Sequence, residues 1–188
     1  ELCTIHFQKE NTEDNMLANA LFADGSAAVL VEGVMRKGVQ LQLERFYGEL
    51  AFAGEHDMTW GIGDHGFEMR LSSYVPDIVR SGIRHLSRSL LSQMELDLSD
   101  VDLYAIHPGG KRILEAIESE LGLTREQNRS SYDVLRSFGN MSSPTVLFVL
   151  QDVWRRLQAN DTNKRVLSFA FGPGLTLESM LLRIRYSS

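Results

Sequence analysis

Short apolar runs separated by polar turns divide the chain, and their spacing changes repeatedly between strand-like and helix-like. Residues 1–7 read as a strand and 16–21 as a short helical turn, with a polar connection between them. Residues 27–31 are all apolar, which predicts a strand covered on both faces. Residues 39–46 alternate, with Val39, Leu41 and Leu43 on one side and Gln40, Gln42 and Glu44 on the other. Glycines mixed with strand formers over 58–71 predict two short extended pieces. Val75-Pro76 opens the clearest helix: Ile78, Gly82, Leu86, Leu90 and Met94 recur every four residues beside Val79 and Ile83, while Arg80, Arg84 and Arg88 share an exposed face. Residues 101–106 predict a buried strand, and helices are expected over 111–121 and 144–157. The run 146–150 is apolar enough to predict a helix buried on all sides. A hairpin closes the chain, 165–171 and 175–186 about a Gly172-Pro173-Gly174 turn. Strands alternating with helices argue for an α/β fold, with the strands ending near Ile106 and Phe171 at the centre of one mixed sheet.

Composition narrows the possibilities. With 188 residues, 43% hydrophobic and 23% charged, the chain can bury a sizeable core. The net charge of -6 comes from interspersed acids and bases, so neither a nucleic-acid groove nor an anionic-membrane patch is indicated. No apolar run reaches the ~18 residues of a membrane span, and no signal-peptide pattern is present. The one cysteine, Cys3, excludes an internal disulfide, and a reducing cytoplasm is the simplest compartment. No group of His or acidic residues has metal-ligand spacing. Glu1 is not an initiator methionine and the chain opens directly on the strand read over residues 1–7, so further sequence is expected before it.

Two loops carry the candidate chemistry. His107 stands where the apolar run 101–106 breaks into Pro108-Gly109-Gly110, and Asn140 stands in Ser137-Phe138-Gly139-Asn140-Met141-Ser142-Ser143 just before an apolar helix. Loops at the ends of buried elements hold polar side chains rigidly over a pocket. A histidine and an asparagine held this way suit a thioester carbonyl that becomes an enolate, because both donate hydrogen bonds. Such a site also needs a thiolate.

Four segments resemble those of type III polyketide synthases, the chalcone and stilbene synthase family, in that family's order. They are Ala20-Leu21-Phe22-Ala23-Asp24-Gly25-Ser26-Ala27-Ala28, His107-Pro108-Gly109-Gly110, Gly139-Asn140-Met141-Ser142-Ser143 and Phe171-Gly172-Pro173-Gly174-Leu175-Thr176. The resemblance implies a thiolase-like layered α-β-α-β-α fold, with residues 1–33 ending its N-terminal half and 34–188 forming the C-terminal domain. It implies acyl-CoA and malonyl-CoA as substrates, no further cofactor, a homodimer, and a Cys-His-Asn triad supplied here by His107 and Asn140. The nucleophilic cysteine is then expected upstream, Cys3 being a pocket-lining residue, and residues 1–188 alone are expected to be inactive, with an apolar face uncovered.

The same resemblance places Phe22, Cys3, His6, Phe67, Ser142, Gly172 and Pro173 around the acyl cavity, and the basic side chains of Lys111 and Arg112, opening a helix right after the histidine loop, are expected to attract the CoA phosphates. It puts Met69 where the family carries a gating phenylalanine. A flexible, unbranched side chain there favours fatty acyl starters and alkylpyrone or alkylresorcinol products over a plant-like aromatic starter. His56, His65 and His85 read as solvated. An initiating β-ketoacyl-carrier-protein synthase is the alternative enzyme, though its loop reads His-Gln-Ala-Asn, and a non-catalytic fragment is the alternative to any enzyme.

Overall fold

The structure, a computed structural model, describes residues 1–10, 12–63, 66–72 and 74–187. Among the described residues, six strands and five α-helices follow one another as α1 (Glu13–Leu21), β1 (Gly38–Leu50), β2 (Met58–Gly63), β3 (Gly66–Leu71), α2 (Val75–Ser92), β4 (Leu103–Ile106), α3 (Lys111–Leu121), α4 (Arg129–Phe138), α5 (Pro144–Arg156), β5 (Arg165–Gly172) and β6 (Thr176–Ser187). One mixed sheet runs β1-β6-β5-β4, with β4 parallel to β5 and the other pairs antiparallel; β2 and β3 form a separate hairpin.

Each face of the sheet is covered by helices, because the strands alternate apolar side chains to both sides. Tyr104, Ile106, Leu167, Phe169, Leu177 and Leu181 meet α2 and α3 in one core. Ala105, Val166, Leu182 and Ile184 meet Val149 and Val153 of α5 and Val134 of α4 in the other. Glu44 makes a bulge in β1 between Leu43 and Arg45, so the inward set switches faces. Val39 and Leu41 pack toward α5, whereas Tyr47 packs toward α2. The bulged carboxylate reaches Arg183 at 2.5 Å and Arg165 at 3.5 Å, two arginines directly opposed across β5 and β6. Their repulsion would otherwise weigh on that pair.

Several expectations change. The strand ending at Ile106 is at the sheet's edge rather than its centre; α4, which the sequence did not signal, lies along that edge and bonds the Ile106 N–H through Ser131 Oγ at 3.3 Å. Residues 1–7 form a 3₁₀ turn at Cys3–His6 instead of a strand. Their backbone is engaged elsewhere: Glu1 and Gly25 exchange bonds, and the Asp24 carboxylate accepts from Thr4 N and Oγ1 at 2.8 and 2.6 Å. Residues 27–31 are neither a strand nor buried, with Val29, Leu30 and Val31 63–77% exposed, because no neighbouring strand pairs with them among the described residues. In α5, Val149 is buried but Val146, Leu147, Phe148 and Leu150 are half-buried, so that helix is covered on one side. Leu43, Phe46, Val34 and Met35 add to the uncovered apolar surface.

Candidate active site

His107 extends the parallel pairing of β4 with β5 by one residue, its N–H donating to Phe169 O at 2.8 Å. Pro108 then ends the strand, and Gly110 caps α3. His107 is 6% exposed, and its ring makes no hydrogen bond among the described residues. Burial pushes its pKa down to about 4, so the imidazole is neutral at pH 7. Gly109 lies beside it: a methyl group on Gly109 would sit 3.8 Å from Nε2.

Asn140 is 3% exposed and tied on four sides. Its N–H donates to Leu21 O and its carbonyl accepts from Ala23 N, both at 2.9 Å, forming a parallel bridge beside Phe22. That approach requires Gly139, whose φ is +71° and where a Cβ would meet Leu21 O at 3.1 Å. The side-chain oxygen accepts from Ser142 N at 2.9 Å, and Nδ2 donates to Gly109 O at 3.3 Å. The Ser142 amide only donates and the Gly109 carbonyl only accepts, so the orientation of the Asn140 amide is fixed by chemistry. One of its N–H bonds is engaged by the histidine loop and the second makes no hydrogen bond among the described residues.

The structure therefore joins His107, Asn140 and Phe22 through Gly109 O and the 21–23 backbone. Cys3, His6 and Phe22 share a cavity of about 20 Å³ with Asn15 and Asn19, room for a water molecule. Burial, with the Glu1 and Asp24 carboxylates behind it, raises the Cys3 thiol pKa, the opposite of what a nucleophile requires. Phe67 and Met69 lie in β3, which packs beside the Cys3–His6 turn and α1; their side chains lie outside what is described. Gly172 and Pro173 lie two and three residues beyond Ala170, the position level with His107, and so about 7 to 10 Å further along the strand, where β2 packs against the turn.

Other candidates are more exposed. Lys111 pairs with Glu115 at 3.4 Å and borders an open basin of about 500 Å³ with Arg125, Arg129, Tyr132 and Arg136; Arg112 is exposed nearby. His56 and His85 face solvent beside Glu55 and Glu49, and His65 lies outside the described residues. Among the described residues no group of three His, Cys, Asp or Glu is placed to hold a metal. The buried hydroxyls beside the two loops were not signalled by the pattern: Ser131 bonds Ile106 N, and Thr145 Oγ1 accepts from Met141 N at 2.8 Å. Inward-facing serines had blunted the apolar period of α4.

Residues 48–185 match the family model for the C-terminal domain of chalcone and stilbene synthases. The chain belongs to the chalcone and stilbene synthase family. Among its relatives, an alpha-pyrone synthesis polyketide synthase-like protein, Pks18 of Mycobacterium tuberculosis, is 32% identical over 98% of this chain and 48% of its own length. A 1,3,6,8-tetrahydroxynaphthalene synthase of Streptomyces peucetius is 36% identical over 97% and 49%. The crystal structure of a bacterial type III polyketide synthase, the tetrahydroxynaphthalene synthase of Streptomyces coelicolor, superposes with a TM-score of 0.89 at 30% identity, over 98% of this chain and 52% of that one. The chain thus has the mixed α/β architecture of the thiolase-like C-terminal half and spans about half the length of these relatives.

Proposed function

We propose that this chain supplies the decarboxylating half of a type III polyketide synthase active site, one that extends an acyl-CoA starter with malonyl-CoA. Loss of CO₂ breaks the malonyl C–C bond, and the electron pair passes into a thioester enolate. The second N–H of Asn140 and an N–H of neutral His107 donate to the enolate oxygen. The enolate carbon then attacks the acyl group held on a cysteine, and the thiolate leaves, carrying the charge away. Donors already fixed in a dry site stabilise such charge by about 3 kcal/mol each. The observation that carries this reading is the Asn140 amide, pinned by Ser142 N and Gly109 O with one donor to spare beside the His107 loop.

The attacking cysteine lies outside residues 1–188, because the raised pKa of Cys3 leaves it a poor thiolate. Residues 1–33 complete the first half of the fold and 34–188 form the second. Cys3, His6, Phe22, Phe67, Met69, Ser142, Gly172 and Pro173 border the acyl path, with Lys111 and Arg112 near the CoA phosphates. Met69 and the α-pyrone name of the Mycobacterium relative favour a fatty acyl starter and an alkylpyrone or alkylresorcinol product. The enzyme works as a cytoplasmic homodimer and needs no cofactor besides CoA thioesters.

The test uses a protein joining these residues to the cysteine-bearing half. His107→Ala and Asn140→Ala should each slow malonyl-CoA decarboxylation by about 100-fold or more. Residues 1–188 alone should not turn over malonyl-CoA. Asn140→Ala decarboxylating within a few-fold of the parent, or turnover by residues 1–188 alone, would refute the reading.

A further inference from the structure

Asn140 owes its orientation to a neighbour in an unfavourable conformation. Ser142 has φ +59°, a left-handed geometry that a residue with a side chain adopts only when its surroundings hold it there. In that geometry its N–H reaches Asn140 Oδ1 at 2.9 Å. Thr145 braces the turn from both ends. Its Oγ1 accepts from Met141 N at 2.8 Å, immediately before Ser142, and its own N–H donates to Ser142 O at 3.0 Å. Thr145 is fully buried, in the first turn of α5, and Met141 is 2% exposed. Water therefore cannot replace the hydroxyl at the Met141 amide.

We infer that Thr145 is a positioning residue whose hydroxyl sets the donor direction of the Asn140 amide. Without it the Met141 N–H loses its acceptor, Ser142 relaxes to an ordinary negative φ, and its N–H swings off Asn140 Oδ1. The amide then rotates about its last torsion, and the N–H aimed at the enolate oxygen is no longer held. The inference rests on the proposed role of Asn140 in decarboxylation. It also separates two steps, since loading of the starter on cysteine needs no enolate donor, whereas decarboxylation does.

The experiment uses the complete enzyme carrying Thr145→Val, nearly the same shape without the acceptor, and Thr145→Ser, which keeps it. Acylation of the cysteine by a fatty acyl-CoA is followed by intact mass, and decarboxylation by CO₂ release from malonyl-CoA. Thr145→Val should lower kcat for decarboxylation about 10- to 100-fold, the scale of a displaced catalytic group, with KM and loading within about two-fold. Thr145→Ser should restore kcat to within about three-fold. Should Thr145→Val not accumulate folded, Thr145→Ala removes the same acceptor and is scored by the same ratio. Undiminished decarboxylation in Thr145→Val overturns the inference, as does a loss shared equally by loading, or a failure of Thr145→Ser to rescue. Asn140→Ala in parallel separates the cases: if it too decarboxylates normally, the proposed function fails, whereas an impaired Asn140→Ala beside a normal Thr145→Val removes Thr145 alone.

Discussion

Residues 27–31 and 101–106 are both short, largely apolar runs, yet they end up in opposite environments. Within the second, Tyr104, Ala105 and Ile106 are at most 4% exposed, whereas Val29, Leu30 and Val31 are at least 63% exposed. Side-chain character does not separate them; backbone partners do. β4 has β5 on one side, and at its free edge the Ile106 N–H finds Ser131 of α4. Residues 27–31 have neither a strand nor a helix beside them among the described residues, so their N–H and C=O groups stay in water and their side chains stay with them. An apolar run states a demand for burial. Whether a strand forms depends on who completes the ladder.

The strongest way to break this comparison is to truncate one side chain in each run. Ile106→Ala removes a fully buried side chain between β5 and two helices and should cost about 3–4 kcal/mol in urea unfolding of residues 1–188. Leu30→Ala, at 77% exposure, should change stability by less than about 0.5 kcal/mol. A Leu30→Ala loss above about 1 kcal/mol would mean that the run is covered in solution and that the contrast is false.

The same logic explains what the sequence revealed. The helices α2, α3 and α5 and the terminal hairpin were legible because one apolar face, with Pro or Gly punctuation, suffices to announce them. The His107 and Asn140 loops were legible from their Gly and Pro signals at element ends. The edge position of β4 was not, because strand order depends on pairing between distant residues. α4 was missed because Ser130 and Ser131 occupy buried positions where a periodic helix would show apolar residues. Residues 1–7 misled through composition: Thr4 and Glu1 engage the Asp24-Gly25 turn, which no alternation encodes. At the site, residue identities were readable but their coupling was not, since Thr145 and Ser142 act through a turn with positive φ.

A second test asks how dry the well-covered region is at the open end of β4. The folded pKa of His107, about 4, lies below the ordinary 6.5. Between those values the unfolded chain binds a proton that the folded chain does not, so stability falls as pH drops through that window and levels off below it. The loss should approach about 3 kcal/mol by pH 4 if the ring stays fully desolvated. His107→Gln, which does not titrate, should lack this slope while keeping the acid sensitivity due to Asp24, Asp97, Asp133 and Asp161, whose pKa values are lowered. Parallel profiles for the two proteins between pH 6.5 and 4 would show that water reaches the ring.

The smallest expected effect probes the edge itself. Ser131 is fully buried, and its Oγ is the partner of Ile106 N at 3.3 Å, where a further strand would otherwise bind. Ser131→Ala leaves that amide buried and unpaired, at a cost of about 1 kcal/mol or somewhat more. The bond is long, so the hydroxyl contributes less than Thr145 at 2.8 Å. A local readout serves better than a global one: amide hydrogen exchange at Ile106 should speed up in Ser131→Ala, while His107, whose N–H donates to Phe169 O of β5 at 2.8 Å, keeps its protection. Equal acceleration along β4 would assign the loss to general loosening of α4. No acceleration at Ile106 would mean that α4 covers the edge by packing alone, and that the contrast with residues 27–31 rests on exclusion of water rather than on a completed backbone bond.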